Sequence, residues 1–300
     1  MIPTLKNDDA HASRLMKIRS RTELLFYDSF SVRSMATKIN TDVKILIDPS
    51  ISIAPKRFGL PPSKEELKEL EKGKEFLSKE QADIIIITHY HWDHCPKPTE
   101  KHYKILFKGK LFVKDFNKTN LSQKNRAQWV LKGIKNFVIA DGKTFEIGNT
   151  LIKFSEGVNH GLDSKLGKVL MVHIEYKDFS FLFGSDIQYL DEEKIKFILD
   201  VDPEVFVFSG PPLYLWFLPK KIDEFVRSLE RIVSKTRLKY IIIDHHTARS
   251  ERYIEFLNEI REKLNDFDVK VLSAAEFMNK EIRMLEVKRK NLSGNPGGGI

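Results

Sequence analysis

The run Ile84-Ile85-Ile86-Ile87 is apolar at every position and β-branched throughout, the pattern of a short strand buried on both faces. Comparable runs predict strands over residues 24–31, 43–47, 104–107, 111–114, 137–139, 144–147, 150–155, 205–208, 240–243 and 269–272. Residues 169–176 and 179–183 flank Lys177-Asp178 and predict a hairpin. Helical spacing predicts helices over residues 64–79, 123–131, 191–199, 220–234 and 251–264, and a charged helix running to about residue 290. Ser63 with Glu66 reads as a capping box for the first of these, which Gly73 should weaken. Strands fill the first half and alternate with helices in the second, which suits layered sheets with helices outside.

The polar residues after the Ile run carry the chemistry. Thr88-His89-Tyr90-His91-Trp92-Asp93-His94 places three imidazoles and a carboxylate within six residues of a strand end, where open sheets put their sites. An extended backbone points His89 and His91 the same way. So many donors exceed one closed zinc site with room for substrate, so the economical reading is two adjacent metals completed by distant residues. His160, Asp186 and His245 each follow a predicted strand, and His246 competes with His245 for the last place.

Composition narrows the setting. The 300 residues are 41% hydrophobic, and the single cysteine, Cys95, excludes an internal disulfide and fits a reducing, cytoplasmic compartment. The first twenty residues are polar, with no apolar core of a signal peptide, and no apolar stretch is long enough to span a bilayer. The net charge of +8 is concentrated: residues 97–135 hold eleven basic and two acidic residues, a local excess of +9. The segment interleaves these cations with Tyr103, Phe107, Phe112, Phe116 and Trp129, as backbone-tracking surfaces do. Residues 1–300 read as a single domain with a basic insertion at about 97–135 and a Gly/Ser/Asn/Pro-rich, disordered tail at 291–300.

The run Thr88-His89-Tyr90-His91-Trp92-Asp93-His94, followed in order by His160, Asp186 and His245, resembles the T-H-x-H-x-D-H signature and later ligands of the metallo-β-lactamase superfamily. The strand ending at Asp48-Pro49 is similar to that superfamily's opening motif, and the likeness is to an uncharacterised archaeal branch. The resemblance implies an α+β, four-layer αββα sandwich. It implies that His89, His91 and His160 hold one divalent metal, that Asp93, His94 and His245 hold another, and that Asp186 bridges them. Zinc is the default for such donors, and iron or manganese fits the same set. Two cations would supply a bridging hydroxide near neutral pH, with Asp93 as proton acceptor. Asp48 and Asp244 could orient ligand imidazoles or serve as turn and capping acids.

Asp186 stands where secreted lactam hydrolases carry cysteine, which argues against antibiotic hydrolysis. The basic segment favours a phosphodiesterase or nuclease, with RNA or DNA meeting Lys104, Lys108, Lys110 and Lys114. A small-molecule thioesterase or lactonase is the alternative, and a nucleic-acid-binding protein with structural metals is a third reading. Residues 210–212 with Tyr214 and Trp216 read as a rigid turn with core aromatics or as a pocket wall.

Overall fold

The computed structural model describes residues 4–215 and 219–289. The first sheet comprises β1 (Thr22–Tyr27), β2 (Met35–Asn40), β3 (Lys44–Ile47), β4 (Ile84–Ile87), β5 (Lys110–Val113) and β6 (Phe137–Ile139), paired in that order. β1, β2 and β3 form an antiparallel meander, and β3 to β6 run parallel. Helix α1 (Thr4–Arg19) leads into it, α2 (Lys64–Lys79) connects β3 to β4, and α3 (Leu121–Leu131) connects β5 to β6. The remaining strands are β7 (Thr144–Ile147), β8 (Thr150–Phe154), β9 (Val158–Asn159), β10 (Lys168–Val169), β11 (Val172–Tyr176), β12 (Phe179–Ser185), β13 (Val205–Phe208), β14 (Tyr240–Ile243) and β15 (Lys270–Leu272). All but the small β9–β10 pair form the second sheet, ordered β15-β14-β13-β12-β11-β8-β7. Helices α4 (Glu192–Val201), α5 (Pro219–Val233) and α6 (Tyr253–Lys263) intervene between its parallel strands, and the short α7 (Ala274–Phe277) follows β15.

Strand periodicity divides the apolar residues into three layers. In β4, Ile84 and Ile86 face the core between the sheets, while Ile85 and Ile87 face outward beneath α2 and α3. In β13, Val205 and Val207 join the central core, and Phe206 and Phe208 pack on α4, α5 and α6. β14 divides the same way, with Tyr240 and Ile242 inward and Ile241 and Ile243 outward. Three apolar layers between four sets of elements make an αββα sandwich. Full burial of each such side chain contributes about 1.5–3 kcal/mol, which explains runs with no polar position.

Several local expectations are met in detail. Ser63 Oγ accepts from the Glu66 amide at 3.2 Å and the Glu66 carboxylate accepts from the Ser63 amide at 2.8 Å, so the capping box starts α2. Gly73 sits inside that helix because a Cβ there would lie 2.4 Å from Ile51 Cδ1. Other expectations are corrected. Residues 104–107 lie in a 3-10 helix, Lys101–Phe107, rather than a strand. β2 went unpredicted because its sequence is half polar, yet Thr37 is buried and bonded to the Tyr27 hydroxyl at 2.6 Å. The charged helix toward residue 290 shrinks to α7. Asn279 and Met284 adopt left-handed φ values of 52° and 47°, and Arg283, Glu286 and Arg289 bind distant partners instead of helix neighbours. The tail at 291–300 lies outside the described residues.

The basic segment supplies β5 and α3 of the first sheet. Much of its charge is paired in space. Lys101 bridges Glu71 and Glu75, Lys108 donates to the carbonyls of Ser78 and Glu80, and Lys110 lies over the rings of Phe112 and Phe145. Lys114 is fully buried on the Asp141 carboxylate, which removes it from any surface that could meet nucleic acid. Lys104 is exposed.

Candidate metal centre

Six strand ends meet along one edge of the two sheets. Asp28 follows β1, Asp48 follows β3, Thr88 and His89 follow β4, Asp186 follows β12, Ser209 follows β13, and Asp244 and His245 follow β14. The chain leaves three of these strands through left-handed residues: Asp48, Ser185 and His245 have φ values of 48°, 55° and 64°. Such non-glycine conformations cost of order 1–3 kcal/mol each and cluster where surrounding contacts over-determine the backbone. Gly210 is left-handed as well (φ 64°), and a Cβ there would lie 2.3 Å from Thr247 Oγ1.

The dispersed donors converge. Donor atoms of His89, His91, His160 and Asp186 lie within 4.8 Å of one another, as do those of Asp93, His94 and His245, and those of Asp186, His245 and His246. Asp186 is central and splits its two oxygens. Oδ1 lies 3.2 Å from His94 Nε2 and 3.3 Å from His245 Nε2, whereas Oδ2 lies 3.4 Å from His89 Nε2, 3.3 Å from His246 Nε2 and 3.7 Å from His160 Nε2. His245 and His246, the two sequence candidates for the last position, both reach Asp186, the first at Oδ1 and the second at Oδ2.

A shell of hydrogen bonds aims the rings. Asp48 accepts from the Thr88 amide at 2.8 Å and the Thr88 hydroxyl at 2.6 Å, and its Oδ2 lies 2.8 Å from His94 Nδ1. Asp28 plays the same part for His245, with Oδ2 at 2.6 Å from Nδ1. Asp28 is in turn held by Arg249 Nε at 2.8 Å. Asp244 touches no imidazole. It accepts from the backbone amides of Ser29, His245 and Ala274 and from the Tyr253 hydroxyl, so it is a turn acid. The sequence reading missed Asp28 and Arg249. The predicted strand over 24–31 hid Asp28 inside it, whereas β1 ends at Tyr27 and leaves Asp28 directly after a strand like the other acids; Arg249 stands four residues beyond His245. Arg249 Nη2 lies 3.0 Å from Asp93 Oδ2. It also lies 3.2 and 2.9 Å from the two ring nitrogens of His245. Arg249 therefore addresses both nitrogens of that ring at near-equal distances.

The buried charges divide the centre. Burial opposes protonation of His94, yet Asp186 and Asp48 hold its pKa well above the histidine range, and His245 is raised by Asp28 and Asp186. Burial brings His91 down to about 3 and His246 to about 4, and pushes His160 well below its usual value. Burial would raise Asp186 and Asp93, but the surrounding imidazoles, and for Asp93 also Arg249, hold both carboxylates well below their ordinary range.

These donors fit divalent cations on three counts. His94 and His245 each turn Nδ1 to a carboxylate, which brings their Nε2 atoms within 3.2 Å of each other, both facing Asp186 Oδ1. Both nitrogens of buried His160 and Oδ1 of buried Asp186 take part in no hydrogen bond. Edges of 3.2, 3.2, 3.3 and 3.5 Å among His94, His245, Asp186 and Asp93 approach the roughly 3.3–3.4 Å expected of tetrahedral N/O donors around zinc.

The family model described as "Beta-lactamase superfamily domain" matches residues 32–229. The chain belongs to the β-lactamase superfamily. A UPF0282 protein of Saccharolobus islandicus is 40% identical over 285 residues, covering 89% of this chain and 90% of its own, which makes the chain a member of that archaeal group too. Among solved structures, a possible metal-dependent hydrolase from Veillonella parvula aligns with a TM-score of 0.51 at 17% identity, covering 81% of this chain and 95% of its own. CmlA, a diiron beta-hydroxylase from Streptomyces venezuelae, aligns at 0.53 and 14% identity over 84% of this chain and 52% of its own. At such identities the likeness concerns the fold, which is that of the metallo-β-lactamases. This superfamily member is a metal-dependent hydrolase of that fold. Among its described residues no helix is long and apolar enough to cross a membrane.

Some sequence candidates stand apart from the centre. Cys95 is free and buried, and His173 is buried with Nε2 2.8 Å from Ser180 Oγ. Tyr214 is exposed, and its hydroxyl lies 3.3 Å from His246 Nδ1, so it stands at the wall of the site. Trp216 lies outside the described residues.

Proposed function

We propose that the chain is a dinuclear metallohydrolase acting on phosphodiesters. The observation that carries the two-metal reading is the split of Asp186, whose oxygens address two separate imidazole sets. His89, His91 and His160, joined by His246 through Asp186 Oδ2, would hold one cation. Asp93, His94 and His245 would hold the other, with Asp186 between them. When bound, such a pair lowers the pKa of water and polarises the bond to be cleaved. Zinc suits this nitrogen-rich donor set, and iron or manganese suits it as well.

The chain's own residues prepare that chemistry. Asp48 and Asp28 fix the tautomers of His94 and His245 so that both Nε2 atoms face inward. Thr88 Oγ1 lies 3.1 Å from His89 Nδ1 and 2.6 Å from Ser185 Oγ, steadying the third ring. Arg249 holds Asp93 as an anion, which favours a cation-holding role for Asp93 over storage of a proton. Burial of His89 and His94 excludes bulk water from the inner side, while His91, Trp92 and Asp93 remain partly exposed and mark the open side.

The phosphodiester preference over a thioester or lactone rests on the cations beside that open side, Arg126 and Lys97 at the Trp92 ring. Elemental analysis of purified protein, combined with chromogenic phosphodiesters, thioesters and lactones, tests both levels. Two equivalents of metal and turnover of the phosphodiester are expected. Turnover of a thioester or lactone alone would move the substrate class, and nucleic-acid binding without turnover of any ester would favour a binding protein with structural metals.

A further inference from the structure

We propose that Arg126, stacked on Trp92 beside the open side of the centre, forms a subsite for a phosphoryl anion outside the reacting bond. The inference rests on the phosphodiester reading above and deepens it.

The open side is defined by exposure within one motif: His89 and His94 are fully buried, whereas His91, Trp92 and Asp93 are partly exposed. The guanidinium of Arg126, on α3, lies 5.1 Å from the centre of the Trp92 ring. Lys97 addresses the same indole at 5.5 Å. Arg126 is only partly exposed, yet among the described residues no carboxylate lies within 4.0 Å of its guanidinium. Among the described residues its one side-chain hydrogen bond is a long contact of 3.5 Å from Nη1 to the Tyr90 carbonyl.

That makes it unlike its neighbours. Arg249 is committed to Asp28 and Asp93, and Arg57 donates to the Arg249 carbonyl at 2.8 Å and lies 3.6 Å from Glu286. Lys101, Lys108, Lys110 and Lys114 are occupied by the fold, as described above. Partial burial of a guanidinium with no carboxylate in contact, Asp93 acting on it only through space, costs desolvation that an arriving anion would offset. Its planar fork pairs two N–H donors with two oxygens of a phosphoryl group, and Lys97, itself 3.9 Å from Glu100, adds a partly compensated positive charge beside it. The fork stays poised because the indole holds it by cation–π contact without consuming its donors.

Inorganic phosphate titrated into metal-loaded protein, followed by tryptophan fluorescence and calorimetry, tests this directly. Wild type should bind phosphate with a change in tryptophan emission, and acetate should bind at least tenfold more weakly. Arg126→Gln should lose at least tenfold in phosphate affinity together with the emission change. Arg126→Lys should recover part of the affinity, and Lys132→Gln, at the exposed residue that caps the C-terminus of α3, should match wild type. Circular dichroism verifies folding, and Arg126→Lys carries the comparison if Arg126→Gln does not fold. Phosphate binding undiminished in Arg126→Gln, no binding by wild type at tens of millimolar, or acetate binding as tightly as phosphate overturns the subsite. If phosphate binding depends on Arg126 while no phosphodiester is turned over, the subsite stands and the reaction assigned above falls. The opposite pattern removes the subsite alone.

Discussion

The Nε2 atoms of His94 and His245 face each other at 3.2 Å across 151 positions of sequence. Each ring is turned by an acid on its far side, Asp48 for His94 and Asp28 for His245, and each acid follows a strand of the first sheet. A shared cation would relieve the repulsion between these nitrogens, and a carboxylate oxygen of Asp186 lies within 3.3 Å of both.

Asp186→Asn keeps the shape of the bridge and removes its charge. Metal content of the variant should fall below that of wild type by elemental analysis, and phosphodiester turnover should drop by roughly 100-fold or more. A variant that retained full metal content and activity would sink the bridging role.

Asp28 and Asp244 flank the same ligand strand and should behave oppositely. Asp28→Asn loses the anion that orients His245, so competition with a chromogenic chelator should show about 10–100-fold weaker metal affinity. Asp244→Asn disturbs acceptors for three backbone amides, so denaturant unfolding should show a loss of about 1–3 kcal/mol with metal affinity little changed.

Glu66 and Arg289 form a bidentate, fully buried ion pair at 2.6 and 2.8 Å, and the same carboxylate closes the capping box of α2. Glu66→Gln removes the bidentate carboxylate charge from the buried Arg289 guanidinium. A loss of about 3–5 kcal/mol in a denaturant titration is expected. A loss below 1 kcal/mol would show that the C-terminal segment contributes little to holding the fold.

His173 supplies a pH dependence away from the metal centre. Burial brings its pKa down to about 4 from the ordinary 6.5. Below pH 6.5 the unfolded chain therefore takes up a proton that the folded chain refuses, so stability falls as pH drops from 6.5 toward 4. His173→Gln removes that linkage. Between pH 7 and pH 4.5 the variant should lose about 2 kcal/mol less stability than wild type, measured by urea unfolding at both values. Equal losses would contradict the burial argument.

Residues whose role depends on local pattern were legible before any tertiary structure. The Ile84–Ile87 run announced a strand buried on both faces because only such a strand needs no polar position, and Ser63 with Glu66 announced a helix start because both bonds of the box are made within four residues. The motif from His89 to His94 was equally visible, since its donors are neighbours in sequence. β2 and the 3-10 turn at Lys101–Phe107 were misread because burial by distant partners, not local pattern, decides them.

What only the tertiary structure decided is which distant groups share space. Nothing local joins Asp28 to His245 or sets both His245 and His246 against one carboxylate. Those pairings arise because parallel strands from two sheets end on one edge. Nor could a count of lysines tell a charged face from a set of cations already spent on carboxylates, carbonyls and rings. Charge adds up along a chain, but it acts through distance, and distance is fixed only when the two sheets have packed.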